Sequence, residues 1–132
     1  DLYEAIVTTN PSAKFGIAFC EASGPALVRS EGNDEELTKL AEQKALELSA
    51  GHVFVIFLRN AYPINVMHAI KRVPEVCRVF CATANEVKAV VADDGHGRGV
   101  IGVIDGKKSS GVEEEAHKKE RKGFLRKIGY KL

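Results

Sequence analysis

The chain has 132 residues, 45% hydrophobic and 28% charged, the balance of one ordinary globular domain, which excludes disordered, collagen-like and fibrous classes. Its longest unbroken apolar run, Val53 to Leu58, is far short of the roughly 20 residues that span a bilayer, and no basic segment leading into an apolar stretch reads as a secretory signal. Net charge is +1, but from Lys107 to Leu132 nine Lys or Arg stand against four Glu; this basic end reads first as a solvated helix face, second as a surface for phosphate or nucleic acid.

In chain order, Leu2, Ala5 and Ile6 predict a short first helix, stopped near Asn10-Pro11 because proline cannot continue it. Lys14 to Cys20 predicts a buried strand, with the polar turn Glu21 to Pro25 behind it and Ala26 to Arg29 returning as a hairpin partner. Asn33 then predicts a helix N-cap, with Glu36 three residues on and Asp34, Glu35 and Glu36 at the positive end of the helix dipole. Leu37, Leu40, Ala41, Ala45 and Leu48 line one helical face, and Gly51 offers the left-handed stop.

Val53 to Leu58 is apolar throughout, as a strand covered on both faces should be. Pro63, Ile64, Met67 and Ile70 predict a short amphipathic helix ending before Pro74. Three strands are expected next, at Val76–Ala82, Val87–Ala92 and Val100–Ile104. A helix from about Val112 to Ile128 closes the chain, with Ser110 and Glu113 as its capping box and Gly129 as its end. Helices alternating with strands early, and strands in succession later, predict one layered α/β domain over residues 1–132, a mixed β-sheet flanked by helices.

Several residue groups are candidates for chemistry. Cys20, Cys77 and Cys81 are an odd number in apolar, strand-like segments, which fits buried reduced thiols of a cytoplasmic protein, and the spacing of the last two lacks the second pair that a zinc site requires. Of the four histidines, His52 sits between Gly51 and an apolar strand, which reads as a hydrogen-bonded end of an element or as a ring fixed where glycine lets a ligand approach. His68 reads as structural or exposed and His117 as solvated, whereas His96, between two glycines, is the rival to His52.

Gly97-Arg-Gly-Val-Ile-Gly102 has dinucleotide-fingerprint spacing but runs into a strand where the fingerprint requires a helix, so only an anion cradle built from its amides and Arg98, or an ordinary hairpin, survives. No Walker sequence and no protein-kinase catalytic loop is present. Small polar groups follow three strands, at Glu21 and Ser23, at Asn60, and at Thr83 and Asn85, where α/β ligands commonly bind. Glu21, Asp93, Asp94 and Asp105 are the carboxylates able to meet a Mg²⁺ ion carried on a nucleotide.

Taken together, Lys14-Phe-Gly-Ile-Ala-Phe-Cys-Glu-Ala-Ser-Gly24, Gly51-His-Val-Phe-Val-Ile-Phe57, Asn60-Ala-Tyr-Pro-Ile-Asn-Val66 and Phe80-Cys-Ala-Thr-Ala-Asn85 resemble the adenosine-specific kinase family of small prokaryotic proteins. Gly97-Arg-Gly-Val-Ile-Gly-Val-Ile-Asp-Gly106 and Phe124-Leu-Arg-Lys-Ile-Gly-Tyr-Lys131 continue the likeness, which runs from Asp1 in order along nearly the whole chain. It implies an α/β fold, a homotrimer, binding of adenosine or its nucleotides (ATP, ADP or AMP), and a histidine that carries a phosphoryl group, matched here by His52. Two departures stand out. Family members carry a further N-terminal stretch before the position of Asp1, and Lys107-Lys-Ser-Ser110 occupies a turn expected to hold an aromatic residue or proline.

The resulting expectation is a cytoplasmic phosphotransferase that moves the terminal phosphoryl of an adenosine nucleotide, accompanied by Mg²⁺, onto His52. Glu21, Ser23, Asn60, Thr83, Asn85 and Arg98 are its expected adenosine- or phosphate-binding residues. The alternative is a non-catalytic trimeric sensor of AMP or adenosine. Nucleic-acid binding through the basic last helix is disfavoured by the acidic remainder of the chain, and no membrane partner is expected.

Overall fold

The computed structural model describes residues 1–130. Lys131, counted above in the basic segment and the family likeness, lies outside them. The elements are α1 (Leu2–Thr9), β1 (Lys14–Cys20), β2 (Val28–Gly32), α2 (Glu35–Leu48), β3 (Phe54–Arg59), α3 (Ile64–Arg72), β4 (Val87–Asp93), β5 (Arg98–Asp105) and α4 (Glu115–Lys127). The α/β class stands, with four helices and two small sheets. No helix among the described residues is long and apolar enough to cross a membrane.

Strand direction is where the sheet departs from expectation. In place of one mixed sheet there are two antiparallel ones, β2-β1-β3 and β4-β5. The physical reason lies in α2. This helix connects β2 to β3, which run the same way as a crossover requires, but β1 is inserted between them and opposes both.

The central strand β1 sorts its side chains by the period of two. Phe15 and Ile17 face α1 and α3 and form a core with Ile6, Ala13, Val66 and Ile70, whereas Ala18 and Cys20 face Ala41 and Ala45 of α2. Phe54, Ile56 and Leu58 of β3 join the first cluster and Val55 and Phe57 the second, which explains an apolar residue at every position. These β3 residues are nevertheless only half-buried, because β3 is an edge strand with one free side.

Asp34, not Asn33, caps α2, its carboxylate accepting from the Leu37 amide at 3.0 Å. Asn33 instead ties the helix entry to β1, accepting from the Phe15 amide at 2.8 Å and donating to the Ala13 carbonyl at 2.9 Å. Both letters suit a cap, and the competing bonds to β1 decide between them. Asp34→Ala therefore loses the cap and an ion pair to Arg59 at 3.2 Å, an expected cost of about 1–2 kcal/mol in urea unfolding. At the other end Ser49, with φ 46°, makes the left-handed stop that was expected of Gly51.

The strand expected at Val76–Ala82 is absent. This stretch is irregular: it joins neither ladder and instead lays Val79 against the core cluster around Phe15. The last helix starts three residues later than expected. Its capping box is formed by Glu114 and His117, whose Nδ1 accepts from the Glu114 amide at 3.1 Å, and not by Ser110 and Glu113; Glu113 pairs with Arg121 at 2.7 Å.

The core is unevenly distributed. Every buried residue among those described lies between Ile6 and Val73, and α4 buries none. Val87, Val90, Ile101, Ile104, Val112 and Phe124 are all exposed in the second half of the chain. An isolated two-stranded hairpin is marginal in water, so this half needs a surface to pack on.

Candidate functional site

His52 is positioned by the junction between α2 and β3. Its amide donates to the Cys20 carbonyl and the Cys20 amide donates to Val53, both at 2.8 Å, which ties the junction to the end of β1. Gly51 is needed there for space, since a Cβ on it would lie 2.9 Å from the Ala22 Cβ. His52 itself has φ 58°, a left-handed conformation that costs a non-glycine residue roughly 1–2 kcal/mol. Such strain persists only where the surroundings over-determine it.

The ring lies against Phe19 with centroids 5.9 Å apart and planes at 16°. Its Nε2 is 3.7 Å from Glu21 Oε1, and its side chain remains 69% exposed. Oε1 of Glu21 also accepts from the Ala22 amide at 3.0 Å and the Ser23 hydroxyl at 3.1 Å, while Oε2 meets Arg29 at 3.2 Å. The Arg29 guanidinium in turn lies 5.0 Å from the centroid of the Phe19 ring. The Ala22 N–H first, then the Ser23 hydroxyl and Arg29, hold the Glu21 carboxyl below its ordinary value. The group therefore stays charged through neutral and mildly acidic pH, and its bonds are lost only as pH falls through the lowered value. NMR titration of the Glu21 side-chain carbon is expected to give a midpoint below the ordinary value of about 4.3.

His52 stands on an open groove of about 2210 Å³ above the free edge of β3. Thr83, Asn85 and Arg98 line the same groove, so the structure brings these three expected residues to the cavity that His52 faces. Glu21 and Ser23 reach the site through His52. Asn60 does not: it sits beyond the far end of β3, about 25 Å along an extended strand, and like His52 it has a left-handed backbone, with φ 60°.

Thr83 and Asn85 form a polar knot at the base of the hairpin. The Thr83 hydroxyl accepts from the Asn85 amide at 3.1 Å, and Asn85 donates to Asp105 at 3.0 Å. The glycine-rich tip is occupied by its own acids: Asp94 accepts from the His96 and Gly97 amides at 2.9 and 2.7 Å, and Asp93 from Gly95 at 2.8 Å. Arg98 donates to the Leu48 carbonyl at 2.9 Å and pairs with Asp93 at 3.2 Å, so it links the hairpin to the end of α2. These bonds engage several of the groups expected to cradle an anion.

His96 is at the tip, and His68 is exposed on α3. Among the described residues no three His, Cys, Asp or Glu side chains gather to hold a metal ion. Of the three thiols, Cys20 alone is buried as expected, with Cys77 exposed and Cys81 intermediate. Their segment is the one that failed to form a strand, which left these two cysteines outside the core.

Phe19 and Arg29 are the site residues that the sequence reading missed. They pair across the β1–β2 hairpin, Phe19 opposite Arg29. The expected turn at Glu21 to Pro25 sets Leu27 opposite Phe19, whereas the turn of the structure is two residues longer and brings Arg29 there.

The chain is similar to the crystal structure of the PH1918 protein from Pyrococcus horikoshii OT3, with 48% sequence identity and a TM-score of 0.92, over 100% of this chain and 81% of that one. No curated protein matches it. The family model described as adenosine specific kinase matches residues 1–131. The chain belongs to the adenosine-specific kinase family.

Proposed function

We propose that this protein is a phosphotransferase that transfers the terminal phosphoryl group of an adenosine nucleotide to His52. The observation that carries the reading is the seating of His52, an exposed imidazole held against Phe19 and Glu21 on a left-handed backbone and lining the groove. The nucleotide is substrate, and its phosphates bring Mg²⁺ with them. Arg29, over the Phe19 ring and paired with Glu21, and the half-buried aromatic side chains of Phe19 and Phe54 supply a cation and an apolar floor. Positioning and charge stabilisation dominate phosphoryl transfer, so this small set of groups suffices for slow chemistry.

Incubation with Mg²⁺ and ATP labelled in the terminal phosphoryl tests the proposal. The expected result is an acid-labile, base-stable label on the peptide carrying His52, formed from ATP in preference to GTP. A stably unlabelled protein would refute it.

The second reading, a non-catalytic sensor of AMP or adenosine, is favoured by one observation. The hairpin-tip amides and Arg98 are already engaged by Asp93, Asp94 and Leu48 and so are not free to meet a transferring phosphoryl group. Labelling separates the two: a sensor binds AMP saturably but takes no phosphoryl group from ATP onto His52.

Both readings include a homotrimer in a reducing, cytoplasmic compartment. The coreless second half and the free edge of β3 support association, and three free thiols suit the compartment. Light scattering is expected to give three times the mass of one chain. Ile101→Lys, which puts a charge on an apolar residue 68% exposed in the isolated chain, is expected to lower that mass.

A further inference from the structure

We infer that Glu21 is a positioning residue that fixes His52 as its Nε2–H tautomer and leaves Nδ1 as the nitrogen that receives the phosphoryl group. The inference rests on the proposed phosphotransferase for its chemical step, but the tautomer itself does not. A carboxylate only accepts, so the ring nitrogen facing it is favoured as N–H and disfavoured as a bare lone pair. Nε2 is that nitrogen, 3.7 Å from Oε1. Nδ1 has no hydrogen-bond partner among the described residues.

Glu21 is itself immobilised. The Ala22 amide and the Ser23 hydroxyl hold one oxygen and Arg29 the other, so the carboxylate cannot swing away without breaking three contacts. The ring is fixed from its flat side by Phe19, and Arg29 ties Phe19 and Glu21 into one cluster. Ser23 thus acts on Glu21, and its expected role as a direct phosphate ligand gives way to a supporting one.

In the transfer step the Nδ1 lone pair forms the new N–P bond. The bond from the terminal phosphorus to its bridging oxygen breaks, and that oxygen keeps the electron pair as the nucleoside diphosphate leaves. The Nε2 proton stays on the ring, which has become cationic, and the Glu21 carboxylate faces that charge.

Two measurements on the full chain test this. Long-range ¹H–¹⁵N spectra of unliganded protein are expected to show neutral His52 mainly as Nε2–H, and Glu21→Gln to move it towards a mixture of tautomers. After reaction with Mg²⁺–ATP, the phosphohistidine isomer read by ³¹P NMR is expected to be Nδ1-linked. Glu21→Gln is expected to slow labelling about 10–100-fold, the usual effect of removing a partner that orients a histidine. An Nδ1–H tautomer in the wild type, an Nε2-linked product, or unchanged tautomer and labelling in Glu21→Gln each overturns the inference. If no label forms but the ring is Nε2–H and responds to Glu21→Gln, the phosphotransferase reading fails while the role of Glu21 stands.

Discussion

Replacing His52 by alanine or glycine is expected to reduce phosphoryl label to background, a larger effect than any other single substitution on the groove. The imidazole is the proposed nucleophile, and no second histidine stands ready to replace it. His68 lies on α3, His96 at the hairpin tip, and His117 is committed to the cap of α4. The two variants separate chemistry from folding. Position 52 has φ 58°, which glycine adopts freely and alanine does not, so His52→Gly is expected to be about 1 kcal/mol more stable than His52→Ala. Both lose the contact with Phe19 equally. Acid-labile label read beside thermal midpoints checks the pair: loss of label in the better-folded glycine variant assigns the defect to the ring.

Gly16→Ala is expected to be the most destabilising small substitution in the chain. Gly16 lies on β1 directly beneath α2, and a Cβ there would overlap the carbonyl of Leu37 and the amide of Thr38. Backbone on both sides cannot rotate away as a side chain would. Overpacking ordinarily costs about 1–3 kcal/mol, and with rigid neighbours the upper end or more is expected, against a total stability of roughly 5–15 kcal/mol. Urea unfolding followed by circular dichroism checks this. Because α2 leads directly into the junction that holds His52, surviving folded protein is also expected to label poorly. Wild-type stability in Gly16→Ala would show that α2 stands off the sheet.

Much of the first half was legible because local and global signals agree there. The period of two in Lys14–Cys20 and the helical stripe of Leu37, Ala41 and Ala45 describe faces that are buried against one another. Such agreement between pattern and packing is what makes a sequence readable. The second half lacks that partnership. Val76–Ala82 has the composition of a strand but joins neither sheet, and composition alone does not fix a pairing. The cap of α4 was unreadable for another reason: a histidine takes the place that glutamate or glutamine usually fills.

The candidate site was legible only in part. His52 stood out by its neighbours Gly51 and the apolar strand, and its role came from family likeness. Which carboxylate faces it depends on the course of the turn after β1, where Ala26, with φ 50°, reverses the chain and brings Arg29 back beside Phe19. No spacing rule encodes that path. Thr83, Asn85 and Arg98 come to the groove from a loop and a hairpin distant in sequence from His52, a long-range outcome that strand-end polarity only hints at.

With all buried residues among those described at or before Val73, the two halves of the chain answer to different thermodynamics. The first half carries its own apolar interior and is indifferent to how much protein is in the tube. In the proposed homotrimer the second half gains its stability from subunits meeting one another, so dilution is expected to loosen it by mass action. Brief protease treatment of increasingly dilute samples should therefore nick the polypeptide beyond Pro74 first and spare the segment that presents the imidazole.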